Sequence, residues 1–147
     1  MQHVVAPPGF ADFGDLTWNA ELPFLCPNNP IARLDLYLAA HHGSSITPKA
    51  EWAMAPRVVV VSNGPRKGGE VAHLETLRNS PGLEDLWQQH YSVPGPKEFG
   101  YNVANEFIAN ITEACSGDYF KASAVEDGSF TIFNSRTKAT KAYPVRK

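Results

Sequence analysis

Four consecutive valines, Val58–Val61, in the stretch PRVVVVSNG constrain this chain more than any other feature. A run with no polar position has no face to turn to water, so it reads as a strand buried on both sides. Helical patterns flank it. PKAEWAMA begins with helix-start chemistry, Thr47 as N-cap and Pro48 in the first turn. GGEVAHLETLRNSPG spaces Val71, Leu74 and Leu77 at helical intervals and stops at Pro81-Gly82. A strand covered on both faces between two helices implies an α/β layer, with helices packed on a sheet.

The remaining segments extend that alternation. GFADFGD reads as a strand ending at a turn, and DLTWNAELPFL as a short helix stopped by CPNNP. ARLDLYLAA is a strand with alternating Leu34, Leu36 and Leu38, and EDLWQQHYS is a further strand. EFGYNVANEFIANITEA, residues 98–114, gives the longest helical pattern, with Val103, Phe107, Ile108 and Ile111 on one side. The closing stretch contains a hairpin signal around Asp127-Gly128. The predicted order is β-α-β-α-β-α-β-α-β-β in one domain spanning residues 1–147.

Composition excludes several classes. A net charge of −2 gives no bulk attraction to nucleic acid or anionic membrane, so any contact with a polyanion has to be local. No apolar run approaches the roughly 18 residues of a membrane span, and MQHVVAPPGF lacks the features of a signal peptide. Cys26 and Cys115 are too few for a disulfide scaffold or a thiolate zinc site; two reduced, partly buried thiols are expected, with a single disulfide as the alternative. Trp18, Trp52 and Trp87 sit in apolar patterns and read most economically as core, or equally as marking a surface where a missing half packs.

Reactive chemistry concentrates at two strand ends, where loops of α/β folds carry function. DFGD places Asp12 and Asp15 at a turn, and LDLYLAAHHGSS ends in His41-His42 followed by Gly43. Carboxylate plus imidazole suits zinc, iron or manganese. The plainer alternatives are a helix cap for Asp15 and a hydrogen-bonded turn for the histidine pair. In NGPRKGGE, Arg66 and Lys67 lie in a glycine-rich loop before a helix, which suits an anion or a solvated turn; the P-loop pattern is missing. No G-x-S-x-G elbow marks Ser44 or Ser45 as a nucleophile.

Taken together, DFGDLTWN, LDLYLAAHHGS and PRVVVVSNG resemble the second half of a metallo-β-lactamase-fold hydrolase. The similarity covers roughly Gly9 to Ser92 and is nearest to the branch related to the hydrolase domain of ComEC-type DNA-uptake proteins. The resemblance implies half of an αββα sandwich, with a mixed sheet, flanking helices and a C-terminal β-hairpin. It implies metal-dependent hydrolysis of an ester or phosphodiester at a dinuclear zinc or manganese centre. Asp15 would bridge the metals, and His41, as the first residue off the strand, would be the late histidine ligand. His42 would face substrate or exchange roles with His41. Arg66 and Lys67 would offset substrate charge. His73 stands where relatives often carry Gly-His-Pro, but its context GGEVAH departs from that, and an exposed helix histidine is expected.

The main departure is that the family's His-x-His-x-Asp-His cluster has no match, and only His3 precedes Asp15. The chain therefore reads as a C-terminal half with an incomplete site and weak zinc binding at most. A bare apolar sheet face would then seek an N-terminal half or a second copy. The rivals are a non-catalytic binding module on the same scaffold and an unrelated α/β fold.

Overall fold

The computed structural model describes residues 4–6, 9–24, 27–31, 33–44, 48–93 and 101–146; His3, Cys26, Ser45 and Thr47 lie outside them. The described strands include a six-stranded mixed sheet whose spatial order equals the chain order. Its members are β1 (Val4–Ala6), β2 (Phe10–Asp12), β3 (Leu36–Leu38), β4 (Val58–Val61), β5 (Asp85–His90) and β6 (Ile108–Asn110). β1 pairs antiparallel with β2, and the other neighbours are parallel. Helices α1 (Trp18–Glu21), α2 (Pro48–Met54) and α3 (Val71–Arg78) make the first three crossovers. Crossovers of one hand between successive neighbours place the helices on a single face.

Register explains why both faces are apolar. Ala11, Tyr37, Val59 and Leu86 lie opposite one another in one row. That row joins Ala50 and Met54 of α2 and Leu74 and Leu77 of α3 in the larger core cluster. The alternate row of Asp12, Leu38, Val60 and Trp87 points to the other face. There the chain supplies its own cover. Strands β7 (Phe120–Ala124), β8 (Phe130–Asn134) and β9 (Ala139–Tyr143) form an antiparallel sheet. Phe130, Ile132 and Tyr143 of this sheet pack with Val58 and Trp87 in the second core cluster. Phe130 stacks on Tyr143 at 4.7 Å and meets the edge of Phe10 at 5.3 Å. The result is a three-layer α/β arrangement of helices, mixed sheet and small sheet.

A polar pin fixes the small sheet at the N-terminal end of β5. Tyr143 O–H donates to Asp85 Oδ2 at 2.6 Å, Lys141 Nζ lies 2.6 Å from the same oxygen, and Trp87 Nε1–H donates to Tyr143 at 3.0 Å. Burial, reinforced by Asp85, pushes the Tyr143 hydroxyl far above the usual phenol range, so it remains a donor.

Four expectations are corrected. The 98–114 helix is absent over its described part: Asn105–Phe107 is a single 3-10 turn and Ile108–Asn110 is β6, paired with β5. Val103 packs into the helix-side core and Phe107 into the opposite one, so the apparent helical stripe serves two faces of a sheet. The sheet face expected to be bare is covered over β4 and β5 by the small sheet. Among the described residues, a groove of about 210 Å³ stays open on this face, lined by Leu36, Leu38, Val60, Phe120, Ala122 and Ile132. Trp52 is largely exposed, its Nε1–H donating to Thr76 O at 2.9 Å, whereas Trp87 is core. Cys115 is a free, exposed thiol rather than a partly buried one.

If the small sheet is integral to the fold, Phe130→Ala should cost about 3–5 kcal/mol, the usual range for a buried phenylalanine. Urea unfolding measures this, and a loss below about 1 kcal/mol would show that the sheet folds apart from the core.

Candidate functional site

β2, β3 and β4 are parallel neighbours, so their C-terminal ends share one edge of the sheet. At the end of β2, Asp12 Oδ1 accepts the Gly14 N–H at 2.8 Å. This Asx turn reverses the chain and presents Asp15. β3 stops at Leu38, and Ala40–His42 forms a tight turn that is kinked, and not helical, at His41. The next three residues to follow Ala40 are left-handed: His41 at φ 52°, His42 at φ 59° and Gly43 at φ 77°. Two successive non-glycine residues in that region store strain, of order 1–3 kcal/mol each.

Main-chain bonds from both neighbouring loops hold the strained turn. His41 N–H donates to Gly14 O at 2.8 Å, Gly69 N–H to His42 O at 2.9 Å, and Glu70 N–H to Gly43 O at 2.9 Å. Ala39 N–H donates to Val60 O at 2.9 Å, tying the turn to β4. The approach of the second loop requires glycine. A Cβ on Gly68 would lie 2.1 Å from His42 O and 2.7 Å from its Cβ.

The clamp orients His42 across the strand ends. Its Nε2 lies 3.5 Å from Asp15 Oδ1. Its Nδ1 is 3.1 Å from Ser62 O and 3.4 Å from Ser62 Oγ. A carbonyl accepts but never donates, so the shorter contact assigns the proton to Nδ1 and leaves the Nε2 lone pair toward Asp15. Two electron-pair donors then face one another. A shared proton or metal ion makes that approach favourable, and a ring N–H held by a carbonyl is the usual support of a metal-bound imidazole. The His42 side chain is 33% exposed and that of Asp15 63%. Both border a shallow pocket of about 220 Å³ with Asp12, Gly14, Leu38 and Ser62. Among the described residues, no group of three His, Cys, Asp or Glu side chains is placed to hold a metal ion.

The other sequence-predicted residues separate from this pair. His41, preferred over His42 as a strand-end residue, ties the turn to Gly14 through its main chain, and its neighbour reaches Asp15 instead. The reason is that β3 ends three residues earlier, so strand geometry no longer sets the direction of His41. Arg66 is exposed and paired with Glu113 of the loop after β6, which holds the Glu113 carboxyl below its usual range. Lys67 is exposed, and its carbonyl accepts the Gly64 N–H at 2.8 Å. The Gly69 and Glu70 amides of the same loop are engaged by the His42 and Gly43 carbonyls, so neither is free to hold an anion.

His73 is the clearest correction among these residues. It is buried in the helix layer, with Nε2 2.7 Å from Glu51 Oε1 and both side chains 1% exposed. It therefore does not present its ring to solvent or substrate. Burial raises the Glu51 carboxyl, and His73 opposes that rise.

Two supporting features escaped the sequence reading. Gly68-Gly69 was visible as a glycine pair, but Gly68 packs against the His42 turn and Gly69 against Ser92 and Asn63. Buried Asn63 links β4 to β5: its Nδ2 donates to His90 O at 2.8 Å and to Ser92 Oγ at 3.0 Å, and its Oδ1 accepts the His90 N–H at 3.2 Å. An amide side chain two positions after the valine run was the available signal.

Compared with family models, curated proteins and solved structures, the chain gives no significant match.

Gly68→Ala should destabilise the chain by clearly more than Gly82→Ala. Both glycines have positive φ, near 73° and 80°, but nothing lies within 4 Å of a Cβ on Gly82. The control should lose only the left-handed penalty of about 1–2 kcal/mol. Equal losses in urea titration would contradict the close packing of the glycine loop on the His42 turn.

Proposed function

We propose that this chain carries one part of a metal-dependent hydrolase centre, of metallo-β-lactamase type, acting on an ester or phosphodiester. The observation that supports the reading is the convergence of His42 Nε2 and Asp15 Oδ1 at 3.5 Å, with His42 Nδ1 directed at a carbonyl. Asp15 and His42 would hold the ion, and their donor chemistry fits zinc or manganese. The fit is partial, because catalytic zinc sites use about three protein ligands and two are present here among the described residues. At such centres the ion supplies Lewis acidity and lowers the pKa of bound water. His42 and Asp15 contribute orientation and charge, and Ser62 fixes the imidazole tautomer. Arg66, although paired with Glu113, and Lys67 are cations on the adjoining loop that would meet an anionic substrate.

The remaining donors would come from an N-terminal half or from another copy of the chain. The apolar groove beside β3 offers a limited surface for such a partner. The second reading is a non-catalytic interaction module. It is favoured by the cover that the small sheet gives to β4 and β5, where an N-terminal half would otherwise pack.

Zinc titration followed by calorimetry separates the outcomes. Binding is expected to be weak, lost in His42→Ala and in Asp15→Asn, and kept in His41→Ala. The chain alone should show no metal-dependent phosphodiester turnover. Loss of binding in His41→Ala with retention in His42→Ala would reverse the ligand assignment. No zinc binding at any concentration would favour the interaction module.

A further inference from the structure

The loop bearing Asp15 continues into α1 and the 3-10 turn Leu22–Phe24. Of residues 19–23 in this segment, only Glu21 is buried. It is 4% exposed, so among residues 19–23 the side chain turned inward is a carboxyl group. Glu21 faces Glu51 from α2 and His73 from α3, and the buried Tyr37 of β3 feels both carboxyls together with Asp12 at the end of β2. Glu21 Oε1, Glu51 Oε2 and His73 Nδ1 are all buried without a hydrogen-bond partner among the described residues. Two ionised carboxylates against one imidazolium leave a net negative charge in a dry layer. Burial of such a charge costs several kcal/mol unless a proton is retained.

We propose that Glu21 is a proton-operated anchor: protonated, it seats α1 and the Asp15 loop on the helix layer, and ionised, it releases them. Burial first, and the Glu51 charge second, push the Glu21 carboxyl up to about 7 from its ordinary 4.5, with His73 opposing. A folded-state value raised above the unfolded one stabilises the seated state fully below about pH 4.5 and loses that effect as pH rises through about 7. His42 and Gly43 are held from the loop after β4, whose Gly69 and Glu70 amides donate to their carbonyls, so release of the loop after β2 moves Asp15 relative to His42. The device is independent of any metal at the site.

Amide hydrogen exchange on the full chain tests this between pH 5.5 and 8, after correction for intrinsic rates. The reporters are Leu16, Ala20 and Glu21, whose N–H groups are hydrogen-bonded within the segment, with β4 as internal reference. For a group moving from 4.5 to 7, protection of the reporters should fall roughly thirty-fold relative to β4. Glu21→Gln, neutral at both pH values, should abolish the fall. The same fall in Glu21→Gln, or none in the wild-type chain, would overturn the proposal. Should Glu21→Gln fail to fold, carboxyl carbon NMR of the wild-type chain decides. A Glu21 midpoint near 7 supports the anchor, and one at the ordinary carboxylate value removes it.

Discussion

The main-chain clamp on residues 39–43 is the contact from which the candidate site follows. Left-handed backbone at two consecutive histidines is unfavourable in isolation, and it persists because carbonyls and amides of three loops meet there. Each bond satisfies a polar group that would otherwise be orphaned at a crowded sheet edge. Gly68 is the geometric condition for the whole arrangement, since any side chain there would overlap His42. The ring of His42 faces Asp15 because the turn beneath it has been twisted out of line with β3.

The two ends of the sheet have different duties. At the N-terminal end of β5, Asp85, Lys141, Tyr143 and Trp87 form a satisfied polar pin that fastens the small sheet over the aromatic core. Arg57 extends it, with Nε 2.6 Å from Glu84 and the guanidinium 5.6 Å from the Tyr143 ring centroid. At the C-terminal end, Asp15 and His42 are half-exposed, strained and short of partners. Such a division lets one edge carry chemistry without exposing the core to its variation. The buried Glu51–His73 pair lies between these regimes. It is dry enough that removing either partner would leave the other's polar atom buried without its hydrogen bond, a loss of about 1–3 kcal/mol.

Much of the frame was legible because its signals are local. The valine run, the Pro48 helix start and the Asp127-Gly128 turn each name an element from a few residues, and parallel order places successive strand ends together. That logic was enough to bring DFGD beside HHGS. It favoured His41, whereas the ring that reaches Asp15 is that of His42, because the turn's handedness is imposed by Gly69 and Glu70, far along the chain. Residues 101–114 misled for a different reason: Val103 and Phe107 serve opposite faces of the sheet, which imitates helical spacing. His73 misled, and Glu21 drew no reading at all, because charged residues on short helices ordinarily face water. Their burial is a tertiary fact, set by one another and by Glu51.

The central claim is that His42 and Asp15, rather than His41, form the metal-facing pair at the strand ends. Paramagnetic broadening by manganese tests it by location and tolerates weak binding. Added in small amounts to the chain, manganese should broaden resonances of residues 12–15, 42–43 and 62 first, with the His42 ring more affected than that of His41. Broadening centred on His41, on the Arg66 loop, or spread evenly over exposed carboxylates such as Glu75 and Glu126 would contradict the account.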